Sequence, residues 1–512
     1  MSSSKKRQVE IMDTTLRDGE QTHNVSFTPE EKLQIARLLL EKVQVDRIEV
    51  ASARVSRGEI ESVRLITAWA QKTNPDYLER IEVLGFVDDN KSVDWICEAG
   101  AKRLNLLTKG SLNHLTRQLR KTPEEHMGDI RRVIDYARKK KLKVNVYLED
   151  WSNGYRSSRE YTYALISFLT GLEVERIMLP DTLGVMYPTE VYAAFQDLTT
   201  RYPGVWFDFH PHNDYGLGTI NVLEAIRGGA RGVHVTVNCL GERTGNASLA
   251  EVVANIHDHL KLKTRVNEKA LYMISRVVET YSGKRLAANT PIVGEDVFTQ
   301  TAGIHADGDK KGGLYESQLM PQRFGRKRSY ALGKLAGKAS LEQNLKEFGI
   351  ELSPENRQKL LQRIIELGDQ KKTVTADDLP FLIADVLNIP EHRKVTFESV
   401  VITSGTHSTP MCSLWLRYRD QEFRFQGSGN GGYDAFMHAL RQFAHAIHVS
   451  LPALVDYEVR IPPGGQTSAL VECKITWQKI GSEDTLTTRG VDPDQTIAAV
   501  RATEKMLNQV LP

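Results

Sequence analysis

The chain has 512 residues, with 67 Lys and Arg against 65 Asp and Glu, a net charge of +2 and 40% hydrophobic residues. That length implies more than one domain, and the near-neutral charge offers no electrostatic footprint for nucleic acid or an anionic membrane. Neither a signal peptide after the basic opening 2–7 nor a run of ~18 apolar residues is present, and the scattered Cys97, Cys239, Cys412 and Cys473 lack zinc or redox spacing, which suits a reduced cytoplasm.

Through the first half, short β-branched runs alternate with stretches of helical period. Strands are predicted at 9–16, 46–50, 81–87, 103–107, 143–148, 176–179, 206–210 and 232–238, with helical patterns between them as at 29–43, 124–141 and 189–201. The first of these helices begins Thr28-Pro29-Glu30-Glu31, a cap residue followed by proline. Most of the strands read as short apolar runs, the pattern of parallel strands covered on both faces. Such units over roughly 250 residues fit an α/β fold closed as a (β/α)8 TIM barrel, assigned here to 1–280. An open doubly wound sheet would have the same periodicity. Residues 281–330, rich in glycine and charge, read as a flexible linker subdomain that contributes to the active site. A small helical subdomain is predicted over 331–394, from helical spacing at 341–348, 354–367 and 377–387. The remainder, 395–512, is built twice as a duplicated α+β domain. Each copy has two β runs, a glycine-bearing turn and a helix: 397–403, 413–418 and 433–448, then 455–461, 469–478 and 493–509.

Barrel enzymes carry their chemistry on the loops that follow the strands. The first strand ends in Asp13-Thr14-Thr15-Leu16-Arg17-Asp18-Gly19, the fifth in Glu149-Asp150, the sixth in Pro180-Asp181-Thr182 and the seventh in His210-Pro211-His212. The eighth leads into Gly241-Glu242-Arg243-Thr244-Gly245-Asn246, whose glycines permit close backbone approach. His210 and His212, two apart on a strand, leave the same face ~7 Å apart at Cα. They read either as a hydrogen-bonded pair or as two ligands of one metal. Asp18 would add a carboxylate and leave coordination positions open, as a catalytic metal requires. Oxygen ligands and water suit Mg²⁺ or Mn²⁺, and Zn²⁺ is compatible. Arg17 reads as a salt-bridge partner or, near a ketone, as the group that stabilises alkoxide charge. Glu149 has an ion-pair reading, and Thr182 a helix-capping one for which Asp181 would serve equally.

The stretch from Asp13 to Gln21 resembles the first signature of the 2-isopropylmalate synthase family, which includes homocitrate and citramalate synthases. The stretch from His210 to Asn246 resembles the second, and Gly303-Ile304-His305-Ala306-Asp307-Gly308 resembles the motif of its flexible subdomain. The duplicated C-terminal unit resembles the family's feedback-regulatory domain, so the likeness covers essentially the whole chain. It implies a divalent metal on Asp18, His210 and His212, with Asn246 completing or supporting the site. It also implies a homodimer that condenses acetyl-CoA with a 2-oxo acid held by the metal through ketone and carboxylate. Arg17 would polarise the ketone, Thr182 would hold the carboxylate, and Glu149 and His305, supported by Tyr315, would handle protons. His305 lies outside the barrel, so the linker must deliver it, from the partner subunit of a dimer.

Where isopropylmalate synthases typically show Ser-x-Glu-Asp, this chain has Tyr147-Leu148-Glu149-Asp150. Tyr147 would project beside Glu149 and leave room for pyruvate rather than a branched chain, with Leu84 and Leu107 as the remaining apolar wall. Ordinary barrel packing would account for all three equally. The segments 147–154, 291–315 and 433–437 look most like the citramalate synthase branch. Pyruvate is therefore the expected substrate, (R)-citramalate the product, and 2-oxoisovalerate the alternative. The C-terminal unit would bind a branched-chain amino acid, isoleucine, through Tyr433, Asp434, Leu454, Tyr457 and Ile461; a plain dimerisation domain is the competing reading. A metal-dependent aldolase or lyase would use the same ligands without needing the C-terminal unit, and a ligand sensor on an inactive barrel would not need the catalytic set.

Overall fold

Eight parallel strands close on themselves: β1 (Glu10–Asp13), β2 (Arg47–Ser52), β3 (Ile81–Phe86), β4 (Arg103–Lys109), β5 (Lys143–Glu149), β6 (Arg176–Asp181), β7 (Phe207–Pro211) and β8 (Gly232–Val235). β8 pairs back onto β1, which excludes the open doubly wound sheet. The computed structural model describes residues 8–301, 314, 317–347, 350–369, 379, 382–383, 394–419, 421–460, 471–478, 480–481 and 485–511. Contacts divide these into two units, one built from the residues up to Thr299 with 317–329, the other from Gln300, Thr301 and Leu314 with the residues from Tyr330 onward. Among the described residues no helix is long and apolar enough to cross a membrane.

Helices cross between the strands, and their starts follow from local chemistry. Thr28 caps Pro29–Arg37 by accepting from the Glu31 N–H while Glu31 reaches back to the Thr28 N–H, and Thr122 and Glu125 repeat this box at Pro123–Lys139. The helix expected over 29–43 is α-helical to Arg37, then widens into a π-turn, Leu38–Val43, that stops at left-handed Gln44. β8 is shorter than the expected 232–238 because Asn238 and Cys239 take positive φ, 58° and 56°, and turn the chain into the following loop.

The strands are not the apolar runs expected. Their outward residues, such as Ile48, Val50, Leu104, Val146, Ile177, Phe209 and Val233, join the helices in one large core. The inward residues alternate with these and are largely polar. Arg47 on β2 pairs across the lumen with Asp208 on β7, and with Glu82 on β3; Arg176 on β6 pairs with Glu10 on β1 and Asp208. Gly232 faces this floor because a Cβ there would lie 2.2 Å from Asp208 Oδ1. Above it, Met12, Leu84, Tyr147 and Met178 form a small separate cluster that Leu107 joins. Charged residues can occupy a lumen because each finds its counter-charge there; removing one partner from such a buried pair costs ~3–5 kcal/mol.

In the second unit, helices Lys338–Glu347 and Pro354–Asp369 pack through Leu341, Leu345, Leu360 and Ile364. The helix expected over 377–387 falls outside the described residues except at 379, 382 and 383. The duplication is present, but each copy has three antiparallel strands rather than two. They are Val395–Thr403, Met411–Tyr418 and Gln421–Ser428 before helix Gly432–Ala446, then Ala453–Arg460, Val471–Gln478 and Thr485–Asp492 before helix Gln495–Val510. The third strand of each copy was missed because it carries a glycine that reads as a turn. Gly427 and Gly490 are there because the helix crosses against them. A Cβ would meet the Ala435 carbonyl at 2.3 Å in one copy and the Ala498 carbonyl at 1.9 Å in the other. The two helices and residues from all six strands share one core, centred on Phe436, Phe443, Ile475, Trp477 and Met506.

Candidate active site

The polar residues singled out by sequence gather at the C-terminal ends of the strands. After β1 the chain curls so that the N–H groups of Arg17, Asp18 and Gly19 all donate to the Thr14 carbonyl, at 3.1, 2.8 and 3.1 Å. His210 and His212 alternate with Pro211 at the end of β7. Nε2 of His210 is 2.9 Å and Nε2 of His212 3.7 Å from Oδ2 of Asp18. One ligand atom from each of the three buried residues lies within 4.8 Å of the other two. Asn246 arrives from the loop after β8, bridged to the His212 backbone. In that loop Gly245 (φ 85°) is required, since a Cβ would sit 1.7 Å from the Cys239 carbonyl.

Both oxygens of Asp18, Nδ1 of His212 and Oδ1 of Asn246 are buried without a hydrogen-bond partner in this arrangement, despite their proximity to one another. Burial would raise the Asp18 carboxyl, but the charge of Arg17 foremost, with the polar ring nitrogens of His210 and His212 close by, overcomes it and holds it below the usual carboxylate range. Burial pulls both imidazoles down, His212 to about 4. A carboxylate kept ionised beside two imidazoles kept neutral is the protonation state metal ligation demands. Together with unpartnered oxygen and nitrogen atoms, it fits a divalent cation.

Around this set, Arg17 Nε donates to Glu49 Oε2 at 2.6 Å, and its guanidinium lies 5.8 Å from the Tyr147 ring centre. Glu49 also accepts from Asn105 at 2.7 Å. Glu149 pairs with Lys109, so the ion-pair reading of Glu149 is realised. Thr182 does not cap the next helix: its hydroxyl accepts from the Asp150 N–H at 2.9 Å. Asp181 serves the turn instead, accepting from the N–H groups of Val185 and Met186 at 3.1 and 2.9 Å. Tyr147 is buried in the lumen with Leu84 and Leu107 against it, its ring edge-on to His210. His305 and Tyr315 lie outside the described residues.

Sequence reasoning passed over Glu49, Asn105, Lys109, Asp208 and His234, which surround these groups. Each sits two residues from another inward position of its strand, as with Glu49 and Arg47, Lys109 and Leu107, or Asp208 and His210. Period-two alternation was the signal that could have found them.

In the C-terminal domain, Tyr433 of the first copy meets two residues of the second. Its ring centre is 5.2 Å from that of Tyr457, and its hydroxyl is 2.7 Å from that of Thr503. Asp434 accepts from the Asn430 N–H at 3.0 Å, and Leu454 is exposed. Ile461 lies outside the described residues.

The profile of the HMGL-like family matches residues 8–278, that of the homocitrate synthase post-HMGL domain residues 292–372, and that of the LeuA allosteric (dimerisation) domain residues 373–511. The chain is 34% identical to (R)-citramalate synthase CimA of Methanocaldococcus jannaschii over 505 residues, covering 98% of this chain and 99% of that protein. It is 33% identical to the 2-isopropylmalate synthase of the same organism over 510 residues, covering 98% of this chain and 95% of that one. With its barrel and those two domains matched in that order, and with these relatives over nearly its whole length, the chain belongs to the HMGL-like family, among the citramalate and 2-isopropylmalate synthases.

Proposed function

We propose that the protein condenses acetyl-CoA with pyruvate and water to give (R)-citramalate and free CoA, in isoleucine biosynthesis. The observation that carries the choice of pyruvate is Tyr147, whose buried ring fills the lumen directly beside His210. A divalent cation on Asp18, His210 and His212, with Asn246 in support, would supply a Lewis acid for the ketone and an anchor for the 2-oxo acid.

The remaining chemistry falls to the chain's own side chains. Arg17, held by Glu49 on one side and Asp18 on the other, presents a guanidinium to the oxygen on which negative charge develops. The Thr182 hydroxyl has a donor hydrogen left after accepting from the Asp150 N–H, and is assigned to the substrate carboxylate. Glu149, whose partner Lys109 keeps it at the mouth of the barrel, is assigned with His305 and Tyr315 to proton movement at the acetyl methyl group and the product hydroxyl. Tyr433, Asp434, Leu454, Tyr457 and Ile461 are assigned to isoleucine, and two chains to one assembly, in keeping with the name of the matched LeuA domain.

Similarity to a 2-isopropylmalate synthase favours one competing substrate, 2-oxoisovalerate. CoA release measured with pyruvate, 2-oxobutyrate, 2-oxoisovalerate and 2-oxoglutarate separates the readings. Pyruvate is expected to give the highest kcat/KM; a preference for 2-oxoisovalerate refutes the citramalate assignment, and no CoA release with any of them refutes the condensation.

A further inference from the structure

His210 turns Nε2 toward Asp18, so its Nδ1 points into the barrel. There it meets Nδ1 of His234, on β8, at 3.3 Å. His234 is buried, and its Nε2 lies 3.3 Å from Oδ2 of Asp208. That carboxylate is fixed in turn by Arg47 and Arg176. Since a carboxylate accepts, the hydrogen of His234 belongs on Nε2, and its Nδ1 offers a lone pair. Two groups approach that lone pair: His210 Nδ1, and the Tyr147 hydroxyl at 3.1 Å. The Tyr147 hydroxyl has a second acceptor in Glu49 Oε2 at 3.4 Å, whereas His210 Nδ1 has no other partner among the described residues.

We propose that His234 is a positioning residue that keeps the hydrogen of His210 on Nδ1, leaving the Nε2 lone pair for the metal. The inference rests on the divalent-metal reading given above. A ligating imidazole generally donates its other N–H to an orienting partner, and loss of that partner weakens metal binding 10–100-fold.

Metal affinity is measured without turnover, by competition between the protein and a chromogenic chelator for Co²⁺. His234→Leu keeps an apolar side chain in the space and deletes the acceptor. It is expected to weaken Co²⁺ binding roughly 10–100-fold. His234→Asn returns an amide oxygen to the place of Nδ1 and should bind Co²⁺ within about threefold of wild type. Wild-type affinity in both variants, with His212→Ala impaired, overturns the positioning role and leaves the metal reading standing. Equal loss in the Asn and Leu variants points to packing and also overturns it. A wild-type protein that does not bind Co²⁺ defeats the metal reading itself. Should His234→Leu fail to fold, a crystal structure of the Co²⁺-loaded wild type decides: ligation through His210 Nε2, with Nδ1 hydrogen-bonded to His234, supports the proposal, and ligation through Nδ1 overturns it.

Discussion

Tyr147→Ser is the most direct probe of what sets substrate size. The ring is 2% exposed, packed with Met12, Leu84, Met178 and Leu107, and edge-on to His210 and His234 with centroids 5.8 and 5.6 Å away. Serine deletes the whole ring, more space than separates the isopropyl group of 2-oxoisovalerate from the methyl of pyruvate. Each methylene-sized addition to an apolar pocket is worth ~1–3 kcal/mol, so the isopropyl group could gain roughly 2–6 kcal/mol in a dry site. This site is not wholly apolar, because His210, His234 and Glu49 border the vacated space. The lower end applies, and the ratio of kcat/KM for 2-oxoisovalerate to pyruvate should rise about 30-fold. Stability should fall, since deletion of a buried aromatic ring costs ~3–5 kcal/mol. CoA release with both substrates, on protein shown to be folded, gives the ratio directly. A folded variant with an unchanged ratio refutes the assignment of Tyr147 and directs attention to Leu84 and Leu107.

Asp18→Asn should lower metal affinity and CoA release by more than about a hundredfold; full activity in metal-stripped protein would refute the ligand assignment. Lys109→Met frees Glu149 from its ion pair at the barrel mouth, where the Glu149 side chain is 24% exposed. Stability should fall by ~1–3 kcal/mol, because the Lys109 side chain is largely buried, while kcat falls about tenfold; an unchanged kcat argues against Glu149 as a proton carrier. His126 is buried, accepts from the Lys109 N–H at 3.1 Å, and is pulled from 6.5 to about 4, chiefly by burial. The unfolded chain therefore binds more protons between those values, so stability is complete above pH 6.5 and declines by about 3 kcal/mol as pH falls through 4. His126→Gln should flatten the dependence of Tm on pH across that window; an identical slope refutes it. Tyr457→Ala should raise the isoleucine concentration for half-inhibition about tenfold, and undiminished inhibition would remove Tyr457 from the effector site.

The barrel was legible because its helices announce themselves through Thr-Pro-Glu-Glu openings and its catalytic loops through polar residues at strand ends. Asp18, His210 and His212 could be assembled from sequence because each lies at or just beyond the end of a strand and the fold dictates which ends converge. The supporting layer was not legible. Glu49 and Asn105, or Asp208 and His234, are single polar residues inside strands, and only the pairing and curling of strands distant in sequence brings them together. Their neighbours Ile48, Leu104, Phe209 and Val233 gave the strands an apolar appearance that hid the alternation. Local punctuation misleads in the C-terminal domain for a related reason: glycine ahead of each helix suggests a turn, whereas Gly427 and Gly490 lie within strands and are required by the helix backbone that crosses against them.

The charged floor of the barrel has a consequence for how the chain reaches its fold. Arg47 touches Glu10, Glu82 and Asp208, and Arg176 touches Glu10 and Asp208. Those contacts join the beginning of the barrel to its seventh strand. A half-barrel ending after β4 would contain Arg47, Glu10 and Glu82 but neither Asp208 nor Arg176, and would expose the floor to water. Local βα units are thus individually incomplete, and the long loops between contact partners must close before the pairing is realised, which slows folding. Disassembly is constrained by the same connections: opening at either side strands a charge in the lumen, so the barrel should unfold as one cooperative body rather than by halves.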